Sequence, residues 1–339
     1  MNVQQQARKR WDSIAKPLHS LGLLEDLVVR IAETQGTPDV RIDRRCVLVF
    51  CGDHGVVRRG VSQTGSSVTA LVAKSIAEGT GNINLMASSA NADVLAVDMG
   101  MLTRVPGTTD RHVGNGTADI TEGPAMTREQ AEKAISVGTE MMKSLSEQGY
   151  QVAVIGEMGI GNTTAASAVA SVLLGLPPEE VTGRGAGLSD AGLQRKVTAI
   201  RRAIEVNRPD AKDPVDVLAK LGGFELAGMA GAYLGGLKYR IPTVPDGMIP
   251  AASALAAARM DPAVTGTLLP GPVSKEPADR LILDSMGLQP VICAQTALGE
   301  GTGGILLLPL LDMALKVYYG PHTFEALKME AYMPQEELP

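Results

Sequence analysis

Short β-branched apolar runs recur along the chain, and most of them end in a glycine-containing turn. Residues 46–50 (CVLVF) lead into CGDHG, 92–97 (ADVLAV) into DMG, 151–155 (QVAVI) into GEMGIG and 241–244 (IPTV) into PDG. Such runs read as strands. Between them, helical patterns cover 127–148, 163–174, 187–204, 224–237, 251–259 and 277–286. Residues 265–269 and 290–292 are weaker strand candidates. Strands alternating with helices predict an α/β fold whose parallel sheet is covered on both faces. In such sheets ligands bind beyond the carboxyl ends of the strands, where all these turns fall. The first forty residues carry their own apolar stripe, and 301–319 reads as a helix; both lie outside the alternating region. The expectation is a small helical subdomain of residues 1–40 plus 301–339 beside an α/β domain of residues 41–300. Residues 103–116 and 270–276 read as loops, and the final MPQEELP as a frayed tail.

Composition sharpens this picture. Hydrophobic residues make up 45% of the 339 and charged residues 20%, enough apolar material for a large core. Aromatic residues are only 3%, while there are 38 glycines and 15 methionines. The core is therefore aliphatic and the loops tight. A net charge of -6 with no long basic block argues against a nucleic-acid surface. The N-terminal MNVQQQARKRWDS lacks the apolar centre of a signal peptide. The longest apolar run, 305–311, is too short for a bilayer and is interrupted by Pro309. Three cysteines, Cys46, Cys51 and Cys293, cannot all pair within the chain, and buried reduced thiols of a cytoplasmic protein are expected. Four scattered histidines have no metal-ligand spacing.

Several turns carry groups capable of chemistry. GEMGIGNTT, residues 156–164, has the glycine spacing of a P-loop, with Asn162 where the lysine would stand. A strand enters it and an alanine-rich helix leaves it. Backbone N–H groups at a helix start favour an anion, and without the lysine the turn suits one phosphate better than a triphosphate. Glu157 inside it is either a solvated loop residue or a group directed at a cation or a sugar hydroxyl. Glu300, set in LGEGTGG, is either a first-turn helix cap or a general base beside an apolar pocket, its pKa raised by partial burial. Asp53 and His54 follow the first strand; adjacent residues on extended chain point apart, so they read as scaffolding. Arg184 and Lys196 are either surface charges or partners for a phosphate. Asp246 marks a turn or a ribose contact.

Together these stretches resemble the nicotinate-nucleotide–dimethylbenzimidazole phosphoribosyltransferases. The resemblance runs from KPLHSLGLLE through GDHGVVRRGVS, EGPAMT, GEMGIGNTT, GRGAGL, GGFELAGMAGA and PDG to LGEGTGG, in the family's order. It implies a doubly wound Rossmann-like sheet domain with a small helical subdomain built from both termini, a homodimer, and no cofactor or metal. It also implies transfer of the 5-phosphoribosyl group of nicotinate mononucleotide to a benzimidazole-type base in cobalamin synthesis. The products are α-ribazole 5′-phosphate and nicotinate. On this resemblance Glu300 is the general base and Glu157 lies near the reacting groups. Gly159, Ile160, Gly161 and Asn162, with Met158 alongside, hold the phosphate end of the donor, supported by Lys196 and Ser274. Thr64, Val72 and Leu298 fall in the acceptor-base pocket.

Departures cluster around that pocket. Val72 stands where many members carry a glutamine, after a stretch reading Gln63-Thr64-Gly65-Ser66-Ser67. The segment before EGPAMT reads Gly116-Thr117-Ala118-Asp119, and Pro272 and Asp279 occupy expected histidine positions. Another benzimidazole, a purine or a phenol is therefore an alternative acceptor. A non-catalytic nucleotide binder is the alternative from another class. An NTP-dependent kinase is the weakest, since Asn162 replaces the lysine it needs.

Overall fold

The computed structural model describes residues 1–332; the tail read as frayed lies outside the described residues. Five parallel strands build the main sheet: β1 (Arg45–Gly52), β2 (Ala92–Gly100), β3 (Thr109–Asp110), β4 (Val152–Met158) and β5 (Thr243–Pro245), in the order β3-β2-β1-β4-β5. The chain starts in the middle and winds outward in both directions, so the strand order reverses between β1 and β4. That is the crevice where doubly wound folds place their ligands. A second, two-stranded parallel sheet pairs β6 (Pro272–Ser274) with β7 (Ile292–Thr296).

β1 is buried along its whole length. Its alternate side chains enter two different cores, as a period of two requires. Cys46, Leu48 and Phe50 pack with helices Arg128–Glu147, Asn162–Leu174, Phe224–Tyr239 and Met248–Met260. Val47, Val49 and Cys51 face the other way, toward helices Val3–Ser13, Leu23–Gln35, Ser67–Ala77, Asn82–Ser89 and Leu307–Tyr318. Helices from the two chain ends touch directly. The Trp11 and Tyr318 rings lie 5.0 Å apart, and Arg10 Nε donates to the Tyr318 carbonyl at 2.8 Å. Among the described residues no helix is long and apolar enough to cross a membrane.

Local chemistry sets the boundaries. Helix Arg128–Glu147 opens on a capping box, in which Thr127 accepts the Gln130 N–H at 3.2 Å and Gln130 accepts the Thr127 N–H at 2.9 Å. Its partner Phe224–Tyr239 is buried nearly all round, so it lacks a polar face. The two helices meet at backbone contact: a Cβ on Gly138 would fall 1.8 Å from the Gly228 carbonyl oxygen. Only glycine permits that approach.

Some expectations change. Residues 265–269 do not form a strand. Asp261 caps a 3₁₀ helix, Pro262–Thr267, and only Leu268 bridges to Thr243. The strand expected at 290–292 runs instead over Ile292–Thr296, because its partner β6 lies inside the stretch expected to be a loop. Residues 103–116 contain the short edge strand β3. The helix expected from 187 begins at Asp190, where Ser189 accepts the Gly192 N–H at 3.2 Å. The expected 301–319 helix starts with a turn and a 3₁₀ segment, Gly304–Leu306. Cys46 and Cys51 are buried, but Cys293 is exposed on β7.

Candidate active site

At the reversal point the turn after β4 meets the turn after β7 around a cavity of about 260 Å³, near the lower end of the ~300–1,000 Å³ typical for small-molecule sites. Glu157, Asn162, Asp246, Ser274, Glu276 and Glu300 contribute to its polar lining, with Thr163 and Thr296. Val72, Met158, Ile160, Met248, Ile249 and Leu298 give it apolar walls.

Glu300 owes its position to backbone rather than to a regular element. It adopts φ +63°, between Gly299 at +84° and Gly301 at +92°. A non-glycine residue in this left-handed region costs about 1–2 kcal/mol, so its surroundings must hold it there. Three contacts do so. The Glu300 N–H donates to the Glu157 carbonyl at 3.1 Å. Asp246, at the end of β5, accepts from the N–H groups of Gly301 (2.7 Å), Gly303 (2.9 Å) and Gly304 (3.0 Å). The turn lies directly on Gly156, where an added Cβ would be 2.4 Å from the Gly301 nitrogen. The Glu300 side chain is 6% exposed, and its Oε2 finds no hydrogen-bond partner among the described residues. Burial raises its pKa, against the opposing pull of Asn82 and Ile83. This is a carboxylate held out of water with an accepting oxygen free, the state a general base requires.

Glu157 stands opposite, at the end of β4, with its Oε2 accepting from the Asn162 amide. Burial first, and the nearby Asp246 second, push its pKa up to about 8. Asp246 is itself raised to about 7 by burial, against its three backbone donors. Several buried carboxylates thus crowd one end of the sheet, a site that favours a cationic ligand.

The 156–161 glycine turn leads into helix Asn162–Leu174, whose N-cap Gly161 has φ +98° and no side-chain cap. The N–H groups at the start of that helix carry the positive end of its dipole. Two of them are engaged locally: the Asn162 N–H donates to the Gly159 carbonyl at 3.1 Å and the Thr164 N–H to the Gly161 carbonyl at 3.0 Å. Ile160, just before the helix, is engaged too. Its N–H donates to Thr69 Oγ1 at 3.1 Å, and Thr69 in turn donates to Asp53 at 2.7 Å. Lys196 is fully buried, with Nζ donating to Thr163 Oγ1 at 2.9 Å and the Gly183 carbonyl at 3.0 Å. Burial lowers its pKa to about 8, with Glu276 pulling the other way. The Ser274 N–H donates to Asp279 at 2.6 Å, and burial raises Asp279 to about 6.

The cavity therefore brings together Glu157, Met158, Gly159, Ile160, Asn162, Ser274, Val72, Leu298 and Glu300. Gly161 caps the helix just behind it, and Lys196 reaches it through Thr163. Thr64 is exposed on its loop and does not line the cavity. Arg184 pairs with Asp190 at the surface. Asp53 and His54 do not pair with each other: Asp53 also accepts the Leu102 N–H at 2.8 Å, and His54 Nε2 lies 2.5 Å from Glu225. Sequence reasoning missed Thr69, Glu225 and Glu276. Glu276 alone had a local signal, its place two residues after Ser274 in a turn already singled out.

A doubly wound sheet, a glycine turn opening a helix at its reversal point and two carboxylates on one cavity fit a nucleotide-handling α/β enzyme. Comparison with known proteins narrows the class. The family model described as "Phosphoribosyltransferase" matches residues 1–328. The nicotinate-nucleotide–dimethylbenzimidazole phosphoribosyltransferase of Acetivibrio thermocellus is 42% identical over 97% of this chain and 94% of its own. The protein of that name from Desulforudis audaxviator is 42% identical over 94% and 91%. The crystal structure of CobT from Thermus thermophilus superposes with a TM-score of 0.91 at 40% identity, covering 97% of this chain and 99% of the other. The chain belongs to the nicotinate-nucleotide–dimethylbenzimidazole phosphoribosyltransferase family and is an enzyme of that phosphoribosyl-transferring class.

Proposed function

We propose that the chain transfers the 5-phosphoribosyl group of nicotinate mononucleotide to 5,6-dimethylbenzimidazole, giving α-ribazole 5′-phosphate and nicotinate, a step in building the lower ligand of cobalamin. The observation that carries the reading is Glu300: a buried carboxylate with a free oxygen, facing a cavity whose other side is an anion-binding turn.

In this mechanism the 5′-phosphate sits at the start of helix Asn162–Leu174 with Lys196 behind it. The glycosidic nitrogen of the donor is cationic, and Glu157 and Asp246 offset that charge and the oxocarbenium character that develops at C1′. The unprotonated ring nitrogen of the acceptor attacks C1′ from the α face while the C1′–pyridine bond breaks. The bonding pair returns to the pyridine nitrogen, which leaves without charge and needs no acid. Glu300 takes the proton from the other acceptor nitrogen. Holding both reactants in line can remove roughly 7–11 kcal/mol of barrier, and a placed base adds about 10²–10⁴-fold.

Val72 supports a second reading, transfer to a different aromatic base. It gives the cavity wall a methyl surface where a glutamine would offer hydrogen bonds. A nicotinate mononucleotide assay with a panel of benzimidazoles, purines and phenols separates the two. Transfer to dimethylbenzimidazole alone removes the second, and transfer to none removes both. We further propose a cytoplasmic homodimer. Leu71, Leu85 and Leu102 are exposed apolar side chains available to a dimer contact, and sedimentation equilibrium tests the dimer.

A further inference from the structure

Three residues that line the cavity each carry a buried side-chain oxygen without a hydrogen-bond partner among the described residues: Glu300 Oε2, Ser274 Oγ and Glu276 Oε2. Glu300 already has a place in the reaction proposed above, and the family resemblance puts Ser274 at the phosphate end of the donor. Glu276 has no such place.

Its setting is specific. Glu276 is the N-cap residue of helix Pro277–Ser285, yet its side chain makes no capping bond, and the residue lines the cavity. It is 9% exposed. Oε1 accepts the Gly185 N–H at 3.0 Å, which fixes the carboxylate against the 183–187 turn. Oε2 packs over Gly183, where an added Cβ would stand only 2.1 Å away. Lys196, whose charge Glu276 favours, gives its observed hydrogen bonds to Thr163 and the Gly183 carbonyl, and no ion pair joins it to Glu276 among the described residues. A buried carboxylate oxygen left without a donor is costly, so an occupant of the cavity is expected to supply one.

The chemistry of the two reactants limits what that donor can be. A carboxylate accepts hydrogen bonds and cannot donate them. In the donor nucleotide the phosphate and the pyridine carboxylate are acceptors as well, and like charge would repel them from Glu276. The acceptor base brings one N–H, which Glu300 takes. The ribose 2′- and 3′-hydroxyls are the donors that remain. We propose that Glu276 is a substrate-specificity residue that receives the ribose hydroxyls of the donor nucleotide and makes the enzyme select ribosyl over deoxyribosyl donors. This inference rests on the phosphoribosyl-transfer reading.

The test measures binding of nicotinate mononucleotide and its 2′-deoxy and 3′-deoxy analogues by calorimetry, in the parent chain and in Glu276→Gln and Glu276→Asp. The glutamine variant keeps an oxygen for the Gly185 N–H, so the turn is retained. The aspartate variant draws the carboxylate back by one methylene. A hydrogen bond to a charged group corresponds to roughly 10–100-fold in affinity. The parent chain is expected to bind the ribosyl donor tighter than at least one deoxy analogue by about that factor, and both variants to lose most of the difference. An equal preference in parent and variants, or none in the parent, overturns the proposal. A parallel transfer assay on the parent chain keeps the two readings apart: discrimination in binding without any transfer counts against the transferase reading alone.

Discussion

Gly156→Ala isolates the geometry on which the site depends. Gly156 lies in β4, one residue before Glu157, and its missing side chain is the space into which the Glu300 turn settles. An alanine Cβ there would stand 2.4 Å from the Gly301 nitrogen, 2.6 Å from the Glu300 carbonyl carbon and 2.7 Å from the Gly301 Cα. Ordinary contact begins near 3.4 Å, so the turn must retreat by about 1 Å. Every atom in the way is backbone, and none can rotate aside. The retreat loads the bonds that hold the turn, from the Glu300 N–H to the Glu157 carbonyl and from Asp246 to Gly301, Gly303 and Gly304. Overpacking of this kind costs about 1–3 kcal/mol of stability. Displacing a catalytic group by about 1 Å costs on the order of 10²-fold in rate. Steady-state transfer, measured well below the melting temperature, is expected to show kcat reduced by about that factor. Calorimetric donor affinity changes far less, because the backbone proposed to hold the phosphate, Gly159–Asn162, lies beyond the substitution. Gly266→Ala is the control, since nothing lies within 4 Å of its added Cβ. A Gly156→Ala enzyme with the parent's kcat would show that the contact between the two turns does not place the base.

Three further outcomes rest on the same geometry. Glu300→Gln keeps the size of the side chain and removes its basicity, so kcat should fall by about 10²–10⁴-fold while donor affinity stays near that of the parent; near-normal turnover would assign Glu300 a structural role. The folded pKa values of Glu157, about 8, and Asp246, about 7, lie above ordinary carboxylate values, so the folded state binds more protons than the unfolded one between those limits. Their stabilising contribution is therefore complete below about pH 4 and lost as pH rises through about 7–8, at up to roughly 1.4 kcal/mol per pH unit for each group. Scanning calorimetry should show the melting temperature of the empty protein falling from pH 6 to pH 8, with Glu157→Gln flattening the fall. A cationic donor would reverse the effect by drawing Glu157 into its ionised form, with proton uptake by the buffer on binding; a binding enthalpy independent of buffer ionisation would rule that out.

Much of the architecture was legible in the order of residues. Strand β1 is an unbroken apolar run because both its faces are buried, and helix Arg128–Glu147 begins at Thr127 because a threonine followed three residues on by glutamine closes a capping box. The turns after β1, β4 and β5 were visible as glycine clusters, since tight turns and close backbone approach leave that mark. Helices Ser67–Ala77 and Asn82–Ser89 escaped notice, as did the β6–β7 pair. The sequence 272–274 offers too few residues for a period-two pattern, and only pairing with a strand some twenty positions later makes it extended.

The site divides in the same way. Local sequence determined that residues 156–163 could receive an anion and that Glu300 sat on an unusually permissive backbone, because both properties belong to glycines and their immediate neighbours. Tertiary structure decided what those groups face. Asp246 grips a turn more than fifty residues downstream, Thr69 draws the Ile160 N–H aside, and Glu276 reaches back to Gly185. No local pattern encodes such contacts, because hydrogen bonds between distant segments depend on the crossing of strands and helices. Burial is likewise a property of the assembled fold, and burial is what leaves Glu157 and Glu300 with raised pKa values at the centre of the molecule.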